Sequence, residues 1–349
     1  MNKLTKVGLS ALCGSLAAVS ANAGTMEVLG GATATWSQNS GTVNGNPIGM
    51  NSGLTFKGSG EFDNGNTLTL TLTGADQDGY SSGSISVATP SMGTLSLSQA
   101  TGGQGIGGYD DKMPTAWEET WGTSMGTGID LPKGVSSSVN IQYATPSILG
   151  TTLKIAYAPG NDGAANNDKA VSGGNASHKQ SGYDIVLDMN PSLGLDALSG
   201  LNIWVGGSRT EQDTEAGLSR GNTDDHQEGV AGATFAYGPV KVGYQRSIEM
   251  TGLEAAGTTQ YYQNNAFGIS FNINDDLTLS YGEMDSTRHI TNATGNNKRT
   301  MTAESIQLSY TMGGMSIKVA ESEVDDATYA NGGTASDNEA TTVAMSLAF

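Results

Sequence analysis

The residues with the clearest chemical potential lie in one glycine-rich stretch, residues 100–133. It contains two acidic pairs, Asp110-Asp111 and Glu118-Glu119, and two of the four tryptophans. Adjacent carboxylates attract cations, most strongly where low-dielectric walls confine the field. The stretch is far longer than a hairpin connection, which indicates a functional or disordered loop. Because tryptophans are normally packed, we expect a loop folded inside a structure built by the rest of the chain; a surface loop with two buried anchors is the alternative.

A glycine pattern in this loop matches a nucleotide-binding spacing but lacks its context. Residues 103–108 have the G-x-G-x-x-G spacing. A dinucleotide site needs that spacing to open a helix after a strand, whereas Pro114 follows six residues later. We therefore predict that the glycines let the loop bend.

The histidines and the other acidic pairs have no spacing typical of a metal or catalytic site. His178, His226 and His289 fall in three different predicted outside loops, so we expect solvated histidines, no catalytic residue and no metal centre. Solvated turn and loop positions are also predicted for Asp224-Asp225, Asp275-Asp276 and Asp325-Asp326. The alternative is that some loop carboxylates bind Ca²⁺, which prefers several oxygen ligands, although no EF-hand spacing is present.

The first 23 residues have the composition of a secretory signal. Lys3 and Lys6 precede a short apolar core, and Ala-Asn-Ala at residues 21–23 matches a cleavage site. The single cysteine, Cys13, lies in this segment, so the mature chain has no disulfide framework. We predict residues 1–23 as a signal peptide and residues 24–349 as one exported domain.

Composition narrows the class of protein. Removing Lys3 and Lys6 leaves 14 basic against 34 acidic residues, a net charge near −20. This charge argues against nucleic acid as a partner, because nucleic-acid binding needs a basic footprint. Hydrophobic content is 36% and 50 of the 349 residues are glycine. Low apolar content with alternating strands is typical of a barrel that faces lipid outside and water inside.

Alternation with period two dominates the chain after residue 23. In one segment, Leu68, Leu70 and Leu72 alternate with threonines. We count sixteen such strands, joined alternately by short turns and longer polar loops, which is the asymmetry of an outer-membrane barrel. The predicted fold is all-β: a transmembrane antiparallel β-barrel of about 16 strands, with the long third loop, residues 100–133, folded into the lumen.

The same alternation assigns four lysines to the inside of the barrel. A lysine on the lipid face near the midplane would cost about 2–4 kcal/mol. We therefore expect a lumen-facing basic wall of Lys57, Lys154, Lys241 and Lys318. If some lie across from Asp110, Asp111, Glu118 and Glu119, the two sets form a constriction with a transverse field. The alternative is that the lysines are merely solvated lumen residues.

The whole chain resembles the general diffusion porins of Gram-negative bacteria, in particular those of alphaproteobacterial type. The likeness rests on the Ala-Asn-Ala site, the long third loop with acidic pairs, and a final alternating strand that ends in Phe349. The resemblance implies a water-filled channel in outer-membrane lipid, usually a homotrimer, that passes small hydrophilic solutes and ions without catalysis or a cofactor. It also implies that Phe349 is the barrel-assembly signal.

The charge balance and the aromatic residues refine this expectation. An acidic loop and a mature charge near −20 predict mild cation selectivity. Tyr80 is the only aromatic residue in positions 67–100, so the N-terminal strands lack a lipid-facing girdle and are expected to face other subunits.

Two other functions stay open at this level. A substrate-specific channel could use aromatic lumen residues such as Trp204, which has inward parity. An exported β-rich adhesive or structural protein would normally have repeats of fixed period, and none is evident.

Overall fold

The computed structural model describes residues 24–40, 46–76, 78–121, 125–160, 181–191, 198–212, 224–292, 295–330 and 337–348. The predicted signal peptide, residues 1–23, and Phe349 lie outside the described residues. Within these ranges, helices are too short and too polar to cross a membrane.

Sixteen antiparallel strands form one closed barrel. Each strand pairs with its neighbours in sequence, and β1 closes the ring against β16 from Gly31↔Ala348 to Asn39↔Ala340. The predicted all-β barrel is confirmed. The strands are β1 (Thr25–Asn39), β2 (Ile48–Glu61), β3 (Thr67–Ala75), β4 (Ser82–Thr89), β5 (Gly93–Gln99), β6 (Asn140–Ala144), β7 (Thr151–Ala158), β8 (Gly182–Met189), β9 (Leu201–Thr210), β10 (His226–Tyr237), β11 (Val240–Met250), β12 (Thr259–Asn272), β13 (Leu277–Asn292), β14 (Gly295–Met312), β15 (Met315–Asp325) and β16 (Asn338–Ala348).

The alternation places apolar side chains on the outside of the barrel. In β3 the exposed residues are Leu68, Leu70 and Leu72, while the threonines between them face inward. This inversion of the usual soluble pattern is stable because the outer face meets lipid and closure leaves no unpaired strand edge.

One predicted loop is a strand pair instead. Residues 285–299 have the composition of one of the longer polar loops expected from the sequence. In the structure β13 extends to Asn292 and β14 begins at Gly295, so the described residues of this region form a tall hairpin. Apolar alternation stops at Ser286 and Thr287, which lie beyond the apolar residues of β13, towards the long-loop end of the barrel. There neither face of the strand needs apolar side chains. The pairing of β13 with β14 continues although the residues become polar. The prediction of a loop, which rested on polar composition, was therefore wrong.

The apolar core lies inside the barrel. Ile106 and Met113, from the long third loop, cluster with Trp204, Met284 and Tyr329 from the wall and from the β15–β16 connection. The loop is therefore packed against one part of the wall as a soluble core would be.

Candidate functional site

The connection between β5 and β6, residues 100–139, folds into the lumen, and we call it the inward loop. Its described parts are residues 100–121 and 125–139. It extends six residues beyond the predicted end at Lys133, because a turn with Ser136 N–H donating to Lys133 O precedes β6. Hydrogen bonds join the loop to inward side chains of β6, β7, β8, β10, β11, β12, β13, β14 and β16.

The first helical turn of the loop is a 3-10 helix, Gly105–Tyr109, which is hydrogen-bonded to β6 and β8. Gly105 N–H donates to Gln142 Oε1 at 2.8 Å, and Ile106 N–H donates to Asp184 Oδ2 at 2.9 Å. Gly105 has φ +54°, and a Cβ there would clash with Asp184, so glycine is required at this contact.

Residues 105–120, which include this 3-10 helix, form the lower arm of the loop, near the short-turn ends of the strands. It crosses a row of three paired glycines, Gly243↔Gly268↔Gly282, on β11, β12 and β13. A Cβ on Gly243 would lie 2.8 Å from Pro114 Cδ, and one on Gly268 would lie 2.9 Å from Pro114 O. The row is therefore a groove in the wall that accepts the loop backbone.

A buried glutamine fixes the second acidic pair. Gln307 on β14 accepts at Oε1 from the N–H groups of Trp117 and Glu118, each at 3.0 Å. Its Nε2 donates to Glu118 O at 2.9 Å. Gln307 is thus satisfied by loop backbone, which holds Glu118 and Glu119 at this depth.

The loop returns along an upper arm, residues 125–135, nearer the long-loop ends of the strands. Asn338 Nδ2 donates to Met125 O at 2.9 Å, and Asn264 Nδ2 donates to Asp130 O at 2.9 Å. Glu228 accepts from Lys133 N–H at 2.9 Å and Gly134 N–H at 2.6 Å. Together the two arms cover the inner face of β8–β16, which we call the loop-bearing wall.

The four predicted constriction carboxylates all lie on the lower arm. Asp110 and Glu119 are exposed to the lumen, whereas Asp111 and Glu118 are half-buried. Gln245 Nε2 donates to Asp110 O at 2.6 Å, which ties the first pair to β11.

Burial and the charges of neighbouring carboxylates make Asp110, Asp111 and Glu118 harder to ionise. Burial raises the pKa of Asp111 to about 6, and the charges of Glu119 and Asp110 add to the rise, while a hydrogen bond from Met113 N–H opposes it. Burial is also the main cause of the raised pKa of Asp110. For Glu118, burial and then the neighbouring Glu119 raise the pKa.

Three of the four predicted wall lysines lie beside the loop. Lys154 Nζ donates to Tyr109 Oη at 2.5 Å and to Asp188 Oδ2 at 3.3 Å. Lys318 Nζ lies 5.9 Å from the centroid of the Trp117 ring. Lys241 lines a cavity of about 440 Å³ together with Thr115 and Ala116 of the lower arm.

Lys57 differs, because it lies on β2, eight strands away from β10 in the ring and thus across the lumen. Around it, the inward faces of β1–β5 form a surface that we call the hydroxyl wall. Lys57 is the only basic residue in these five fully described strands and is paired with Glu27. The inward hydroxyl residues are Thr25, Thr33, Thr35, Ser37, Thr55, Ser59, Thr67, Thr69, Thr71, Thr73, Ser82, Ser84, Ser86, Thr94, Ser96 and Ser98.

The described histidines differ from their prediction as solvated loop residues. His289 lies within β13, is 4% exposed, and its ring centroid is 4.8 Å from that of Tyr261. His226 begins β10, and its Nε2 lies 3.0 Å from Glu249 Oε1. The prediction was wrong for both, because strand register supplies partners that sequence spacing does not reveal. His178 lies outside the described residues.

Other residues singled out from the sequence have clear positions. Trp204 faces inward and donates from Nε1 to Gln245 Oε1 at 3.1 Å, but it is 3% exposed beneath the loop. Arg209 Nε donates to Asp225 at 2.7 Å. Ca²⁺ binding by loop carboxylates stays a prediction.

Solved structures share this fold. OmpT of Vibrio cholerae, in its trimer form, matches with a TM-score of 0.65 and 12% identity, covering 93% of this chain and 99% of that one. OmpF of Salmonella typhi, in complex with daunomycin, gives a TM-score of 0.64 and 14% identity, covering 93% and 98%. A variant porin of Rh. blastica gives 0.56 and 16%, covering 93% and 100%.

Sequence comparison assigns the family. No curated protein sequence matches this chain significantly. The family model for Gram-negative porins matches residues 8–348, nearly the whole chain. The chain therefore belongs to the Gram-negative porin family and is an outer-membrane diffusion channel.

Proposed function

We propose that small hydrophilic solutes and ions diffuse between the lower arm and the hydroxyl wall, with a modest preference for cations. The observation that carries this proposal is the one-sided position of the inward loop: it covers the loop-bearing wall and presents Asp110 and Glu119 to the remaining space. Transport then needs no catalytic step and no cofactor, only a water-filled passage of limited width.

The two sides of this passage act differently on a solute. Hydroxyl groups donate and accept hydrogen bonds without net charge, so the hydroxyl wall can replace part of a hydration shell for many solutes. The carboxylates of the lower arm attract cations, and low-dielectric walls strengthen that field. Lys154, Lys241 and Lys318 reduce the net charge on the loop side, so the proposed selectivity is mild.

A substrate-specific channel is less well supported. Its proposed aromatic contact, Trp204, packs 6.3 Å from the Tyr109 ring centroid and is covered by the loop. A passing solute could reach it only after the lower arm moved.

Planar-bilayer recordings test the proposed constriction. Changing Asp110 and Asp111 to Asn, with Glu118 and Glu119 to Gln, should shift the reversal potential in a salt gradient towards the anion side. The shift should weaken in concentrated salt, because the screening length falls from about 30 Å at 0.01 M to about 3 Å at 1 M.

A matched control is available on the outer face of the barrel. Four glutamates are paired in one outward row across β13–β16, next to the exposed Ile306. They are Glu283, Glu304, Glu323 and Glu339. Changing all four to Gln removes the same charge outside the pore and should leave the reversal potential unchanged. Equal shifts in both variants, or none in the loop variant, would contradict the proposed constriction.

We also propose a homotrimer whose interface includes β3–β5. These strands have 9, 8 and 7 residues. At about 3.3 Å per residue and a tilt near 45°, they rise only about 16–21 Å, less than the apolar band of about 25 Å. A wall this low is better covered by a neighbouring protein than by lipid. The low region continues into β6, β7 and β8, with 5, 8 and 8 residues, whereas β14 has 18 residues.

Cysteine labelling tests the interface, because the predicted mature chain lacks cysteine. Leu70 on β3 and Leu279 on β13 are both outward, with 41% and 40% of their surfaces exposed in the single chain. A maleimide dissolved in the lipid phase should label Leu279→Cys and spare Leu70→Cys. Equal labelling at the two positions would show that β3 faces lipid.

A further inference from the structure

The geometry points to a divalent transition-metal site in the lumen, formed by His226, Glu228 and Glu249. One ligand atom of each residue lies within 4.8 Å of the other two. In the diffusion channel proposed above, Glu228 anchors the upper arm, but His226 and Glu249 have no role. The sequence predicted no metal centre.

Strand register creates the cluster. Glu228 faces inward, since it accepts from the backbone of the upper arm, and His226 precedes it by two residues on the same face of β10. Glu249 on β11 is the direct ladder partner of Glu228. Three potential ligands from two neighbouring strands therefore converge, although 21 positions separate the glutamates in sequence.

A buried carboxylate oxygen points to a missing ligand. Glu249 is 8% exposed, and its Oε1 lies 3.0 Å from His226 Nε2. Its Oε2 is buried and has no hydrogen-bond partner in the part of the chain that the structure describes. A buried, unpaired carboxylate oxygen is costly, and like charges directly opposite in a ladder repel each other. A cation between the two glutamates would remove both penalties.

The surrounding groups leave ligand capacity free. Glu228 uses one lone pair on each oxygen for the N–H groups of Lys133 and Gly134, and a carboxylate has about four such sites. The Lys133 ammonium, which would otherwise compete, donates to Asp130 Oδ1 at 2.6 Å. The His226 side chain is 28% exposed, which gives access from the lumen.

The donor set indicates the class of metal. An imidazole with two carboxylates suits Zn²⁺, which is bound tetrahedrally by nitrogen and oxygen ligands, with water in the fourth position. Mg²⁺ and Ca²⁺ prefer oxygen ligands alone, so they gain little from the histidine. A bound cation would hold β10 and β11 together at the residue that anchors the upper arm.

Calorimetric titration of the folded barrel with ZnCl₂ tests the site. We expect saturable binding of one Zn²⁺ per chain that is retained in excess Mg²⁺. His226→Asn and Glu249→Gln should each weaken zinc binding by at least about tenfold, as loss of a ligand or its support does. Circular dichroism and heat-dependent gel mobility confirm that each variant still forms the barrel.

The matched control is Glu254→Gln, an exposed glutamate in the β11–β12 connection that carries the same charge change. It should bind zinc like the unchanged chain. The proposal is overturned by any of three results: no saturable zinc binding, displacement of zinc by Mg²⁺ as from an unstructured acidic patch, or unchanged zinc affinity in His226→Asn.

Discussion

The hydroxyl wall and the loop-bearing wall are built from the same alternating strands but have different inner surfaces. In β1–β5 the inward residues are mainly Thr and Ser, most of them partly exposed to the lumen. In β8–β16 they include Asp184, Gln307 and the groove residue Gly268, each of which contacts the inward loop. One half of the interior is thus a wet surface, and the other is a packed core.

This difference determines where the passage lies. A loop of 40 residues could lie against any part of a round lumen. The loop-bearing wall supplies a groove for its backbone, and hydrogen-bond partners come from that wall and from the nearby β6. Buried backbone groups need such partners, because each unpaired group costs about 1–3 kcal/mol. The passage therefore lies beside the hydroxyl wall, whose inward side chains are mainly small and polar.

The largest expected effect comes from filling the groove. Gly268→Val should displace Pro114 and the lower arm, since the added Cβ would lie 2.9 Å from Pro114 O. Single-channel conductance should rise about twofold or more, because the loop would no longer narrow the pore. Gly53→Val is the matched control, since its Cβ would approach nothing closer than 4.0 Å on the hydroxyl wall. Unchanged conductance in Gly268→Val would refute the proposed role of the groove.

The next effect concerns stability. Asp184 is fully buried, and its Oδ2 accepts from Ile106 N–H at 2.9 Å and Val135 N–H at 3.2 Å, so it joins both ends of the loop. Asp184→Ala should lower the free energy of unfolding by about 1–3 kcal/mol for each N–H left unpaired. Urea unfolding in detergent micelles measures this change. Ser84→Ala, on the hydroxyl wall, should stay within about 0.5 kcal/mol; equal losses in the two variants would remove the distinction between the walls.

A smaller effect is expected from pH. The pKa of Asp111 is raised to about 6, so acidification from pH 7 to pH 5 should increase its protonated fraction from about 10% to about 90% and reduce cation preference. Hydroxyl groups do not titrate in this range. Reversal potentials at the two pH values measure the change, and Asp111→Asn should reduce the difference between them. If the variant keeps the full pH response, a group other than Asp111 is responsible for it.

The same shift has a consequence for stability. Because the folded pKa of Asp111 lies above its ordinary value of 3.8, the folded state binds this proton more tightly. The stabilisation from this group is therefore full below pH 3.8 and is lost as the pH rises towards 6.

The smallest effect is expected at Lys57, the single basic residue of the hydroxyl wall strands. Lys57→Gln should increase cation preference slightly, because Glu27 lies opposite in the ladder and already offsets part of the charge. Reversal potentials measure the change, and Lys57→Arg should behave like the unchanged chain. A large shift in Lys57→Gln would mean that the hydroxyl wall, rather than the loop, dominates selectivity.

Much of this architecture follows from the sequence alone. Period-two alternation identified the sixteen strands and the inward parity of Lys57, because a side chain in a strand can point only to one face or the other. The length of residues 100–133 and their two tryptophans predicted a loop folded into the lumen. Where alternation ended, prediction failed, since β13 and β14 continue as polar strands above the apolar band.

Only the tertiary structure decided which wall the loop covers. The glycine row requires Gly243, Gly268 and Gly282 to be brought into one register from three strands, and no local signal encodes that register. The same holds for His226 and Glu249, which meet across a ladder. Side-chain direction is a local property that each strand carries in its own sequence, whereas contact partners depend on the register of all sixteen strands in the closed ring.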